Sequence, residues 1–390
     1  MIQFYLTYFI VQATFAVITP FLPVVLANLG FSVSQVGLGM GCFEAVGIVG
    51  PLAVGLLAER TGRFRSFDAL SLFFSALLFG GFVLKLPGWL YFLILGSLGF
   101  CFRANAPLLD SISMDAVQGD SQKYTGIRSA GTMGFVILSV AMSVAGIPAP
   151  SDNKAIAITF GLVCCLGVLA IILLPVRYDH LKSCEKIGKD RNTGKWYDNA
   201  FVLMLLLIAM SRFSLSAVYS FLSLYALDVA HVPDITILNA VAAGCEFFVM
   251  LLAGWLMKKR KLSAYFFLMV GSAAMALRLC LYVWFPTKTG LILSQTLHAF
   301  CYGAFHPAAL NYIASHVRKD RLGAGISLYF SLASGLPSVV GSMVGGHMVD
   351  AFGYARMFYT YAAVSLAAVI IGLIFGKFLR SQDKIAFDVI

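Results

Sequence analysis

Seven ionisable side chains stand near the middle of apolar runs of roughly 20 to 28 residues: Glu44, Arg103, Asp110, Arg128, Arg212, Glu246 and Arg278. If those runs cross a bilayer, each charge costs about 2.5 to 3.5 kcal/mol, and all seven facing lipid would cost on the order of 20 kcal/mol. They must therefore pair with one another or line a wet cavity. A guanidinium beside a carboxylate in such a cavity offers charge-assisted hydrogen bonds to a carboxylate, a phosphate or a sugar hydroxyl of a solute. With four arginines against three acids, the set is marginally cationic, which favours an anionic or polyhydroxylated solute.

The elements that hold these residues are legible from hydropathy. The 390 residues are 60% hydrophobic and 12% charged, with a mean hydropathy of +0.87, which leaves no polar surface for a soluble domain. The pattern predicts twelve helices, at about 2–28, 34–58, 65–85, 88–116, 120–147, 153–175, 199–228, 235–257, 263–284, 289–314, 321–349 and 355–379. Each is long enough for a hydrocarbon core of about 30 Å. Residues 100–107, FCFRANAP, are echoed at 300–307 by FCYGAFHP, so the chain reads as a duplication. The expected fold is all-α: two pseudo-symmetric six-helix bundles over 1–175 and 199–390, with a polar cytoplasmic linker at 176–198 between them. A lipid-facing amphipathic helix is the alternative for the linker.

The net charge of +10 does not point to nucleic acid, because the 28 Lys and Arg residues are sorted by side. Twenty fall on the face of the even-to-odd loops and the C-terminus, and four on the other. That bias places both termini in the cytoplasm, as expected of a multi-pass protein of the cytoplasmic (inner) membrane. The first helix lacks a basic n-region and a cleavage site, so it is expected to be retained. Seven cysteines lie in predicted helices and Cys184 in the linker, with neither a disulfide framework nor zinc spacing. No cofactor or metal is expected; the partners are a small-molecule substrate and the bilayer, and the unit is a monomer.

Hairpin geometry suggests which charges meet. Helices four and five turn near Gly119, with Asp110 nine residues before and Arg128 nine after, which puts both about 13 Å into the membrane. Arg278 and His298 each stand ten residues from the turn at Lys288, and Glu44 and Glu246 lie at similar depths in helices two and eight. The alternative for Asp110 and Arg128 is a neutralised pair that only joins two helices, and for His298 a satisfied interhelical hydrogen bond. His306 precedes Pro307, so it reads equally as repair of a freed carbonyl. Arg103 and Arg212 have no depth-matched partner and read as cavity cations. In GLLAERTGRFR at 55–65, Glu59 with Arg60 and Arg63 forms a rim cluster that Asp68 could join; it is read as a gate latch able to exchange ion pairs, or as an ordinary positive turn.

The same GLLAERTGRFR resembles the loop-two signature of the major facilitator superfamily, with Glu59 in place of the usual Asp. NAPLLDS (105–111), YTGIRSAGTMGF (124–135) and TLHAF (296–300) resemble the branch that holds lactose permease, nucleoside/proton symporters and the phenylpropionate permease. The resemblance implies that Asp110 and Arg128 hold substrate and that Phe135 takes the place of an aromatic that stacks on a sugar ring. It also implies a proton-coupling cluster of Glu246, Arg278 and His298. The family's proton-carrying carboxylate three residues after the histidine is Cys301 here, and the acidic pair on helix seven is missing from SRFSLSAVYSF, so the carrier moves to Glu246 or Glu44.

The implied function is secondary transport by alternating access, with proton symport of a saccharide, nucleoside or aromatic carboxylate. Substrate is expected among Asp110, Arg128, Phe135, Arg103, Arg212 and Glu44, facing the cluster of Glu246, Arg278 and His298. The alternative is drug/proton antiport, whose helix-five glycine–proline motif is missing from GTMGFVILS. A passive channel is a third reading. An enzyme is not expected, since the chain lacks HExxH, paired catalytic aspartates and a nucleophile–base pair.

Overall fold

The structure, a computed structural model, describes residues 1–118, 120–179, 196–259, 262–318 and 321–380. Among these the chain is helical apart from short connections and one isolated antiparallel bridge between Tyr197 and Val317. The first nine helices are α1 (Ile2–Asn28), α2 (Val33–Thr61), α3 (Phe64–Gly80), α4 (Gly88–Ala116), α5 (Ser121–Ala145), α6 (Asn153–Ile172), α7 (Asn199–Asp228), α8 (Ile235–Lys258) and α9 (Ala264–Trp284).

The last three carry irregularities that the hydropathy pattern does not reveal. Helix α10 covers 288–316 in three pieces: Lys288–Thr296, a π-helical turn at Ala299–Ala304, and Phe305–His316. Next come Leu322–Leu328, a second π-helical turn at Tyr329–Gly335, and the 39-residue stretch Leu336–Ile374. A straight helix of that length would run to about 58 Å, nearly twice a hydrocarbon core. Gly353 divides it, with φ 80° and ψ 165°, values a side chain would resist. We number the parts α11 (322–352) and α12 (354–374), which completes twelve spans.

Helix starts follow from local side-chain chemistry. Ser32 forms a capping box with Gln35 on α2. Asp152, Asp198, Ser263 and Thr287 each accept a backbone N–H three residues on, at the starts of α6, α7, α9 and α10, which satisfies donors that a helix start leaves open.

The outward faces are those of a protein bathed in lipid. Leu162, Leu166, Leu169 and Leu173, spaced for one helical face, are all exposed at the end of α6, and only 28% of that helix's most apolar stretch is buried. The corresponding share is 72% for α1 and 61% for α7, so these two run through the cores of their bundles. Apolar side chains turned outward on this scale would drive aggregation in water and are neutral in a bilayer.

The chain divides into two compact units, Met1–Glu185 with Pro233–Ala240, and Lys186–Val232 with Val241–Ile390. Within the first, α1 packs on α5 and α6, α2 on α4, and α3 on α4 and α6. Within the second, α7 and α9 pack against the 336–374 stretch, and α9 also against the π turn of α10. Buried serines join these helices: Ser211 with Ser272 at 2.5 Å, Ser220 with Ser342 at 2.8 Å, and Ser214 donating to the Tyr361 carbonyl at 2.7 Å. Such bonds hold helices together where lipid offers no competing partner. Of the linker expected at 176–198, Val176–Asp179 forms a 3-10 turn. Residues 180–195, with Cys184 and the amphipathic alternative, lie outside the described residues.

Candidate functional site

In the first unit, Asp110 on α4 and Arg128 on α5 meet, with Arg128 Nη1 3.8 Å from Asp110 Oδ2. Two tyrosines complete the group. The Tyr8 hydroxyl on α1 donates to Asp110 Oδ1, and Arg128 Nη1 donates to the Tyr124 hydroxyl at 3.2 Å. Tyr124 precedes Arg128 by four residues, so the helical period stacks the two side chains on one face. The Arg128 side chain is 57% exposed. An exposed guanidinium within a span is tolerable only where its face meets water, and its remaining N–H groups are free to take a solute. Phe135 lies two turns further along α5 and is half-buried. Sequence reasoning passed over both tyrosines, which in apolar helices read as core; the spacing of Tyr124 and Arg128 was the available signal.

Arg103, read from sequence as a cation without a partner, pairs with Glu44, and its guanidinium also lies 5.3 Å from the centre of the Phe43 ring. Glu44 stands 11 residues into α2 and Arg103 15 residues into α4, a difference in depth of about 6 Å. Two helices apart, α2 and α4 run in the same direction, and the long arginine side chain spans the difference. Gly47 makes room for it: a Cβ there would come within 2.8 Å of Arg103 Cγ.

The rim cluster is less connected. Gly62 ends α2 in a left-handed cap with φ 71°, and Glu59, Arg60 and Arg63 are exposed around it. Among the described residues no ion pair joins Glu59 to either arginine. Arg65 Nη1 instead donates to the carbonyls of Ile172 at 3.2 Å and Leu174 at 2.8 Å, at the end of α6, where a helix terminus attracts a cation. Asp68 does not reach the rim; it is fully buried within the unit.

In the second unit, Glu246, Arg278, His298 and Cys301 come together. His298 Nε2 lies 3.4 Å from Glu246 Oε2, and Arg278 Nη1 lies 2.9 Å from His298 Nδ1. A guanidinium cannot accept a hydrogen bond, so Nδ1 must be the acceptor. This network assigns the neutral tautomer with its proton on Nε2, directed at Glu246. Protonating His298 would set an Nδ1–H against the Arg278 donor and break that contact. Arg278 also donates to Gln295 Oε1, Tyr282 donates to the same oxygen at 3.4 Å, and the Cys301 thiol packs against the guanidinium. Gln295 and Tyr282 were not anticipated from sequence.

Arg212 on α7 has no carboxylate partner among the described residues. It donates to the Tyr329 hydroxyl at 2.9 Å and lies over the rings of Tyr302 (4.8 Å) and Phe305 (5.0 Å). Its charge is spread over aromatic faces instead of being neutralised. His306 Nδ1 bonds the same Tyr329 hydroxyl at 2.7 Å, and the rings of His298, Tyr302 and His306 stack along α10 at 5.7 and 5.5 Å. Repair of a carbonyl freed by Pro307 is therefore not the whole role of His306. Both π turns fall in this cluster, as such turns often do at functional sites.

Among the described residues, long apolar helices carry paired and caged charges within their spans, the pattern of a multi-pass membrane protein. The chain belongs to the MFS_1 like family, whose model matches residues 1–360. Over 386 residues it is 23% identical to the Escherichia coli (strain K12) protein named "Putative nucleoside transporter YegT", covering 92% of this chain and 89% of that one. Among solved structures, the nucleoside transporter NupG superposes with a TM-score of 0.79 at 15% identity, covering 96% of this chain and 98% of NupG. A POT family transporter in complex with a thioalcohol-conjugated peptide superposes with a TM-score of 0.78 at 10% identity, covering 97% and 96%. These structures share the major facilitator fold with this chain, and the family's members are transporters, not enzymes.

Proposed function

We propose that the chain is a proton-coupled symporter of a nucleoside, working by alternating access as a monomer in the cytoplasmic membrane with both termini inside the cell. The observation that carries the substrate reading is the exposed Arg128 held beside Asp110 within the membrane span. Arg128 donates and Asp110 accepts, which suits the hydroxyls of a ribose, and Phe135 on the same helix offers a ring for a base to stack on. Saccharides and aromatic carboxylates use parts of the same chemistry. The nucleoside reading is favoured because it uses both the polar pair and the ring, and because a relative at 23% identity carries that name. The loop charge bias supports the orientation, and a histidine between a carboxylate and an arginine supports coupling to protons.

The test is ligand-induced stabilisation of the purified protein by uridine, lactose and phenylpropionate in parallel, since a ligand of the folded state raises Tm. Uridine is expected to stabilise and the other two are not. In Arg128→Lys, which keeps the charge and loses the fork, uridine affinity is expected to fall about tenfold. Stabilisation by lactose or phenylpropionate alone would overturn the substrate class, and unchanged affinity in the variant would remove Arg128 from the site.

A further inference from the structure

Five carboxylates lie on the helices of the first unit: Glu59 and Asp115 are exposed near helix ends, Glu44 has Arg103, and Asp110 has Tyr8 and Arg128. The remaining one, Asp68, is the fifth residue of α3. It is 0% exposed, and among the described residues neither carboxylate oxygen has a hydrogen-bond partner. An ionised carboxylate in that position would lack water, a donor and a counter-ion at once, a state that folded proteins avoid by neutralising the group.

Among the described residues, each cation on the elements around it is exposed, distant or bonded elsewhere. From α4 the charged neighbour it senses is Asp110, of like sign; Arg103 is taken by Glu44, and Asp115 is exposed. From α2, Glu59 and Arg60 are exposed at the rim. Lys154 is at the opposite end of α6, whose only other ionisable groups are the thiols of Cys164 and Cys165. On α3 itself Arg65 is engaged by the α6 carbonyls, and beyond α6 Arg177 is bonded to Tyr178.

We propose that Asp68 is a proton-binding site of the first unit, protonated in this conformation and ionised only when water reaches the start of α3. The proposal rests on the symport reading and adds a second proton-binding group, next to the substrate pair and apart from the Glu246 cluster. A proton on Asp68 leaves Asp110 as the one charge opposite Arg128, so the pair that meets substrate is balanced. Loss of that proton creates a second negative charge beside the pair and requires the helix start to hydrate. Protonation thereby ties the closed packing around α3 to the state of the substrate pair.

Asp68→Asn copies the shape and neutrality of the protonated acid. In proteoliposomes it is expected to keep uridine counterflow near the wild-type rate, to lose the pH dependence of that rate, and to accumulate uridine about tenfold less under a proton gradient. Accumulation and a pH profile like those of the wild type would overturn the proposal. Infrared spectroscopy of detergent-purified protein at neutral pH supplies a readout without substrate. The wild type is expected to show the carbonyl-stretch band of a protonated carboxylic acid that Asp68→Asn lacks, and the same band in both proteins, or in neither, would overturn the assignment. Failure of the symport reading looks different: the wild type itself would show no accumulation, while the infrared band is unaffected.

Discussion

The two copies of the repeated motif differ at one informative place. Where FCFRANAP carries Arg103, FCYGAFHP carries Gly303. In the first unit Arg103 holds Glu44. In the second, a Cβ on residue 303 would stand 2.8 Å from the Glu246 carbonyl oxygen, so the α10 backbone lies against α8 and has no room for a side chain. Glu246 meets His298 instead. The contact of α2 with α4 thus carries an arginine–carboxylate pair, and that of α8 with α10 a histidine–carboxylate pair.

The wider pairing of charges differs between the units as well. Among the described residues, the first unit pairs Arg103 with Glu44 and Arg128 with Asp110, and buries Asp68 without a hydrogen-bond partner. In the second, Arg278 and Glu246 both lie against His298, and Arg212 donates to the Tyr329 hydroxyl.

Breaking the pair of Arg103 and Glu44 is expected to have the largest effect on stability. Arg103→Ala leaves Glu44 partly buried without its cation and should lower stability by about 1 to 3 kcal/mol, less than for a fully buried pair because both groups see some solvent. A denaturation series on Arg103→Ala, Glu44→Ala and the double variant should show the double losing less than the sum of the singles. Additive losses would mean that the pair contributes nothing as a pair. A smaller effect is expected at the contact of Glu246 with His298. Gly303→Ala must push α10 from α8 by several tenths of an ångström, costing about 1 kcal/mol, and by loosening the His298 contact it should shift the pH profile of transport. Wild-type stability together with an unchanged profile would show that the close approach is unimportant.

Much of this architecture was legible in the sequence because hydropathy reports burial in lipid directly, and because helices joined by a short turn must share depth at equal distances from it. That arithmetic brought Asp110 to Arg128 and Arg278 to His298. It missed Arg103 with Glu44 because α2 and α4 are not consecutive and the arginine reaches past the difference in depth. Tyr8, Tyr329 and Gln295 were missed because a polar tip on a residue in an apolar run leaves no periodic trace. The π turns in α10 and α11 shift the register by a single residue, too little for a hydropathy window to resolve. Asp68 was visible as a charge one turn into α3 and was drawn toward the rim by its neighbours in sequence; only its burial separates it from them.

The most direct test is uridine uptake into proteoliposomes under an imposed inward proton gradient, measured for the wild type and for Glu246→Gln alongside counterflow without a gradient. The account predicts that the wild type accumulates uridine and loses it when a protonophore is added, while Glu246→Gln exchanges uridine but does not accumulate it. Full uphill uptake by the variant, or wild-type uptake that stops at equilibrium, would contradict it.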